Sequence, residues 1–179
     1  DGIRYNYNVL TAKFTDKSFF PFPYDEINQS NGALTGSLGL IYSPDNATRV
    51  ALNGSTGFRT PNIDDLTKVF ESEPGTIVVP NPDIKPEYTY NIDLNMVKVF
   101  ADRVELELTG FYTIATNYFS TQPSTFEGED SIMYDGELSQ VLTTGNSASA
   151  YLYGFNAGID IKISDMFSFA SYITYTYGR

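Results

Sequence analysis

Apolar and polar residues alternate along long stretches of this sequence, and this period of two constrains the fold more than any other feature. Alternation of this kind predicts β-strands that have one apolar face and one polar face. It persists over residues 104–118 and 151–163, which is more than twice the about 5–6 residues of a typical strand. Strands of that length suit a tilted crossing of a bilayer, which takes about 9–11 residues.

The alternation predicts seven strands and almost no helix. The strands are expected over residues 3–14, 33–42, 49–58, 88–96, 104–118, 151–163 and 167–177. In the first strand, a slip of the apolar phase at Val9 and Leu10 predicts a β-bulge. One helical turn is predicted over 63–70, because Asn62 is a good N-cap residue and acidic residues follow it.

The predicted connections between these strands alternate in length. The short ones cover residues 43–48, 101–103 and 164–166, and the long ones cover 15–31, 59–87 and 119–150. An up-and-down barrel in an outer membrane has short turns at one end and long loops at the other. A soluble Greek-key sandwich has no reason to separate its connections in this way.

Aromatic residues concentrate near the predicted strand ends. Those toward the long loops are Phe58, Tyr88, Tyr90, Tyr112, Tyr118, Tyr151, Tyr153, Tyr175 and Tyr177, and those toward the short turns are Tyr42, Phe100 and Phe167. Tyrosine and phenylalanine are good strand formers in any protein, but that preference does not explain their crowding at the ends. Two belts of aromatic residues at the lipid–water boundaries are expected of a membrane barrel.

The opposite side of the predicted strands is polar and charged. This polar face carries Asn53, Asn91, Asp93, Asn95, Glu105, Glu107, Asp160 and Lys162. Burying such charges in a narrow core would cost several kcal/mol each unless they were paired, whereas a wide hydrated lumen avoids the cost. An odd number of strands cannot close an antiparallel bacterial barrel. The fold class predicted is therefore all-β, an up-and-down antiparallel transmembrane β-barrel segment of about seven strands.

Composition excludes several other classes of function. The chain has 22 acidic and 11 basic residues, so it lacks the basic surface that nucleic acid requires. It has no cysteine and no histidine, which removes the commonest nucleophilic and metal-binding side chains. No nucleophile, base and orienting group converge in the sequence. We therefore expect no enzymatic activity, no catalytic residue, no cofactor and no metal site.

An acidic stretch within 119–150 is a candidate cation site. It holds Glu127, Glu129, Asp130, Asp135 and Glu137 without any Lys or Arg. Carboxylates can bind Ca²⁺, but glycines at 128 and 136 indicate turns rather than a coordination cage. The favoured interpretation is a solvated acidic loop.

Two proline-containing motifs flank the excursion between the third and fourth predicted strands. They read Gly57-Phe58-Arg59-Thr60-Pro61-Asn62 and Asn81-Pro82-Asp83-Ile84-Lys85-Pro86-Glu87. Proline ends regular strand pairing, and asparagine bonds local backbone in turns. Arg59 is expected to form an ion pair with Glu87 or to bond loop carbonyls. The residues predicted to anchor the loop structurally are Phe58, Arg59, Pro61, Asn62, Asn81, Pro82, Lys85, Pro86 and Glu87.

In this order and with strands on both sides, the two motifs resemble the paired boxes of TonB-dependent outer-membrane receptors. The resemblance extends over all 179 residues. It implies a barrel of about 22 strands in the bacterial outer membrane, with an N-terminal plug and a TonB-binding segment. Residues 1–179 would then be part of the barrel, with the plug and the remaining strands outside this sequence. The implied partners are outer-membrane lipid, the TonB complex through the N-terminal region, and a scarce extracellular nutrient.

The transported substrate and the ligand-binding residues remain open at this point. Haem-uptake members of the family are similar but carry a histidine between the two boxes, and residues 62–80 have none. A ferric siderophore, a corrinoid or a glycan is compatible with the sequence. Packing is favoured over ligand stacking for the aromatic loop residues Phe19, Phe20, Phe22, Tyr24, Phe70 and Phe126.

The sequence leaves two alternative functions from other classes open. One is a passive porin-like channel of the outer membrane, and the other is a secreted all-β carbohydrate-binding module. An upstream plug would separate a receptor from a porin, whereas folding as a monomer in buffer would indicate the soluble module.

Overall fold

The computed structural model describes residues 1–18 and 20–179. These residues form nine strands and one short helix, joined by turns and longer connections. The strands are β1 (Gly2–Lys13), β2 (Glu26–Asp45), β3 (Thr48–Arg59), β4 (Thr76–Val79), β5 (Glu87–Phe100), β6 (Val104–Pro123), β7 (Ser131–Tyr134), β8 (Glu137–Lys162) and β9 (Ser168–Gly178), and the helix is α1 (Ile63–Thr67). Across these described residues, no helix is long and apolar enough to cross a membrane.

Seven long strands form an antiparallel up-and-down sheet in the order β1-β2-β3-β5-β6-β8-β9. Short turns at 46–47, 101–103 and 163–167 alternate with long connections at 14–25, 60–86 and 124–136. All short turns therefore lie at one end of the sheet and all long connections at the other. This confirms the predicted all-β barrel segment, with its short turns and long connections at opposite ends.

Two short strands inside the long connections were not predicted. β4 pairs in parallel with β8, and β7 pairs with β8 in antiparallel fashion. The residues of β4 do not alternate, since Ile77, Val78 and Val79 are all buried. A short run that is apolar on both faces carries no period of two and cannot be recognised as a strand by alternation.

Three long strands also continue farther than predicted toward the long-loop end. β6 continues to Pro123 and β8 begins at Glu137, so most of the predicted loop 119–150 is strand. β2 likewise begins at Glu26, inside the predicted loop 15–31. Residues 139–149 are mostly polar and include Gly145 and Asn146. Glycine and asparagine are weak strand formers, and pairing with neighbouring strands overrides that preference.

The β-bulge predicted at Val9 and Leu10 is wrong. Pairing between β1 and β2 runs without interruption from Gly2 opposite Ser37 to Lys13 opposite Glu26. Leu10 breaks the alternation because it lies on the polar side of the sheet where loops cover that side. The register is instead irregular between Tyr42 and Asp45 at a short turn.

The registers place the predicted polar residues on one face, where they bond across strands. Asn53 Nδ2 donates to Asp93 Oδ1 at 2.9 Å, and Asn95 Nδ2 donates to Glu107 Oε1 at 2.9 Å. Thr113 Oγ1 donates to the Oδ1 atom of Asn91 at 2.6 Å. The polar face is therefore a cross-strand hydrogen-bonded surface, and the opposite face is apolar.

The aromatic residues of the apolar face meet as direct cross-strand partners. Tyr112 lies opposite Tyr153, and Tyr153 lies opposite Tyr177. Their ring centroids are 6.3 Å and 5.4 Å apart, respectively. Phe155 and Tyr175 form a similar pair with centroids 5.8 Å apart. Aromatic pairs in these positions stabilise the pairing of neighbouring strands.

Most buried apolar residues lie at the long-loop end, in two clusters. The rim cluster consists of Ala12, Ile27, Leu66, Ile84 and Phe119. The tip cluster consists of Phe20, Ile77, Val79, Phe126 and Val141. The long connections are therefore packed structures with apolar cores of their own.

Spin labels on the two faces of the sheet should differ in their accessibility to a lipid-soluble quencher. Nitroxides attached at Leu108→Cys and Glu105→Cys in the full-length protein, reconstituted in a bilayer, should respond oppositely to a lipid-soluble quencher. The label at Leu108 is expected to be quenched because its side is apolar and would face hydrocarbon. Labels at Leu106→Cys and Glu107→Cys repeat the test on a neighbouring pair of residues. Equal quenching of both faces would contradict the assignment.

Candidate functional site

The first motif ends β3 and begins a helical turn. We call residues 60–86, which connect β3 to β5, the strap. Asn62 Oδ1 accepts the backbone N–H of Asp65 at 2.9 Å, and Asp65 Oδ2 accepts the backbone N–H of Asn62 at 3.0 Å. This reciprocal capping box starts α1. The predicted turn is thus confirmed, although it ends at Thr67 rather than at residue 70.

Arg59 forms an ion pair with Asp65, so the expected pair with Glu87 is wrong. The Nη2 atom of Arg59 donates to both carboxylate oxygens of Asp65, at 2.9 Å each. Arg59 also lies over the Phe119 ring, 4.5 Å from its centroid, in a cation–π contact. Glu87 Oε2 instead accepts the backbone N–H of Phe119 at 3.3 Å. The capping box orients the Asp65 carboxylate, and Glu87 is engaged elsewhere.

Side-chain amides bind the backbone of the second motif. Gln29 of β2 donates through Nε2 to the carbonyl oxygens of Pro82 and Ile84, at 2.7 Å and 3.0 Å. Asn81 Nδ2 donates to the carbonyl of Thr144 at 2.9 Å, and Asn81 Oδ1 accepts the N–H of Asp83 at 3.0 Å. Proline cannot donate to a strand ladder, so regular strand pairing stops at this motif. The side-chain amides of Gln29 and Asn81 supply hydrogen bonds there in place of a neighbouring strand.

Asn146 of β8 bonds the backbone of Lys85 as a neighbouring strand would. Its Oδ1 accepts the Lys85 N–H at 2.8 Å, and its Nδ2 donates to the Lys85 carbonyl at 2.9 Å. The same Nδ2 donates to the carbonyl of Asn117 at 2.7 Å. Asn117 Nδ2 in turn donates to the Pro86 carbonyl at 3.3 Å.

Gln29, Asn117 and Asn146 were not predicted as anchors of the strap. Asn117 lies in phase with the alternation, on the polar face of β6, and only the structure shows that its φ is 55°. Asparagine tolerates this left-handed region better than most residues. All three amides occupy polar positions of the sequence, so no sequence signal distinguishes them from other polar residues.

The strap crosses the ends of two strands on the polar side of the sheet. β3, where the strap begins, is separated from β8 by β5 and β6, yet β4 pairs with residues 140–143 of β8. Thr143 Oγ1 also donates to the Val79 carbonyl at 2.9 Å. Leu66 and Ile84 of the strap pack in the rim cluster with Phe119 of β6. The helical turn of the strap and its second motif are therefore joined through one apolar cluster.

The remaining predicted motif residues have separate positions. Phe58 lies opposite Tyr88 with ring centroids 6.0 Å apart, and so belongs to the aromatic pairs of the apolar face. Pro61 is buried at the start of the strap. The side chain of Lys85 is exposed, and its described contacts are made by its backbone.

Most of the loop aromatic residues pack against one another, as predicted. Phe20 contacts Phe22 and Phe126, with centroid distances of 5.2 Å and 4.8 Å. Tyr24 packs against the rim cluster. Phe70 is more exposed, and the Nζ atom of Lys68 lies 4.9 Å from its ring centroid. Phe19 lies outside the described residues.

At the long-loop end, carboxylates and one tyrosine hydroxyl have shifted pKa values. Burial, together with the negative charge of Asp83, raises the pKa of the Tyr24 hydroxyl to about 12. Hydrogen bonding by Lys17 and its positive charge lower the pKa of Asp25. The predicted acidic residues Glu127, Glu129 and Asp135 are exposed. Within 1–18 and 20–179, no three acidic side chains are arranged to hold a metal ion.

Comparisons with known proteins agree with this architecture. The family model described as "TonB dependent receptor-like, beta-barrel" matches residues 1–179. The probable hemoglobin and hemoglobin-haptoglobin-binding protein 4 of Haemophilus influenzae is 41% identical over 58 residues. That match covers 32% of this chain and 6% of the Haemophilus protein.

Solved structures of larger proteins contain the same fold. A variant of the ferric enterobactin receptor PfeA of Pseudomonas aeruginosa has a TM-score of 0.70 and 15% identity, over 84% of this chain and 23% of PfeA. The siderophore receptor PirA of the same organism has a TM-score of 0.69 and 15% identity, over 86% of this chain and 30% of PirA. The chain thus spans less than a third of either structure, and the likeness shows the fold alone.

The Arg59–Asp65 contact predicts energetic coupling between the two residues. A double-mutant cycle of Arg59→Ala and Asp65→Asn should give a coupling of about 0.5–1 kcal/mol. The Asp65 side chain is only 16% exposed, which limits screening by solvent. The local free energy of opening can be measured from native-state proteolysis of the strap in the full-length protein. Asparagine retains an oxygen that can accept the cap hydrogen bond.

The control is the corresponding cycle of Arg59→Ala and Glu87→Gln. Its coupling should be near zero, because Glu87 accepts a backbone N–H and not the guanidinium. Stronger coupling of Arg59 to Glu87 than to Asp65 would contradict the observed pairing.

The raised pKa of Tyr24 predicts a loss of loop stability at alkaline pH. The folded loop favours the neutral phenol, because the folded pKa of about 12 exceeds the ordinary value of about 10. This contribution is complete below the ordinary value and is lost as pH rises through the folded pKa. Phenolate absorbance of the full-length protein, compared with Tyr24→Phe, measures the titration. A Tyr24 titration near the ordinary value would contradict the burial argument.

Proposed function

We propose that the parent protein takes up a scarce nutrient using energy transmitted by TonB, because this chain belongs to the TonB-dependent receptor β-barrel family. The barrel lies in the bacterial outer membrane. Its apolar face contacts lipid, its polar face lines the lumen, and the long-loop end faces the cell exterior. In this proposal the plug and the TonB-binding segment belong to other parts of the parent protein.

The strap is the observation that carries this proposal. It crosses the polar side of the sheet at the long-loop end and is bonded by side chains of β2, β6 and β8. A passive pore requires an unobstructed entrance, whereas the strap and the rim cluster form a packed structure over this part of the mouth. Such a structure suits a receptor that holds a large ligand before admitting it.

The predicted motif residues act in this proposal as anchors of the strap, not as ligand contacts. Arg59 and Asn62 stabilise its entry through Asp65 and α1. Asn81 and the backbone of Lys85 secure its exit against β8. Both motifs therefore contribute to the shape of the mouth without specifying the nutrient.

A ferric siderophore is the substrate class that we propose first. The PfeA structure contains enterobactin, PirA is named a siderophore receptor, and the Haemophilus protein is named for hemoglobin binding. Histidine is a common axial ligand of haem, and residues 1–179 contain none. This segment therefore offers a haem no imidazole, and its polar lumen suits a large polar chelate.

Energy-dependent uptake tests the proposed function. Cells that express the full-length parent protein should accumulate radiolabelled iron supplied as ferric enterobactin and related siderophores, and cells that lack it should not. A protonophore should stop accumulation, because TonB draws on the inner-membrane gradient in the proposed mechanism. Accumulation that continues with the protonophore would indicate a passive channel. Failure to accumulate any ferric siderophore would overturn the substrate class.

A further inference from the structure

We draw no further inference here: the strongest candidate, the side-chain cluster of Tyr172, Asp160, Glu105 and Glu107 on the polar face of β6, β8 and β9 near the short turns, is a largely exposed group of carboxylates, and nothing in the structure shows what covers it.

Discussion

Every backbone N–H and C=O of a strand must find a hydrogen-bond partner, and this requirement shapes the sheet as well as the loops above it. In hydrocarbon no water can satisfy these groups, so spanning strands must pair along their whole length. The long ladders between β5, β6 and β8 meet this requirement. At the long-loop end, prolines of the second motif interrupt the ladder. There the amides of Gln29, Asn81 and Asn146 take over the backbone bonds that another strand would have made.

Strand pairing also decides where an apolar core can form. Along the long ladders, the apolar residues lie on one face and the polar residues bond across strands on the other. Under the proposed function the apolar face contacts lipid, so a buried core is not needed there. Beyond it, water returns and connections must bury their own apolar side chains. The rim cluster and the tip cluster meet that need. The mouth is consequently the part of the segment that resembles a globular protein, and it holds the strap.

Asp65 shows how local and distant interactions combine in the strap. Its carboxylate closes the capping box with Asn62 and accepts both hydrogen bonds from Arg59. Arg59 in turn covers Phe119, which packs against Leu66 and Ile84. One carboxylate thus connects the start of α1, the end of β3 and the rim cluster. This arrangement favours a fixed strap at the mouth, consistent with a receptor that presents a shaped surface to its ligand.

Local sequence patterns were enough to predict the seven long strands, their faces, the alternation of short and long connections, and the helical turn capped by Asn62. These features depend on periods of two or on neighbours three residues apart, so they are visible without a partner. Long-range packing sets the parallel pairing of β4 with β8, the choice of Asp65 over Glu87 by Arg59, and the roles of Gln29 and Asn146. Those contacts join residues that are distant in the chain or compete for one partner. Local pattern carries no information about which distant group comes close enough to bond.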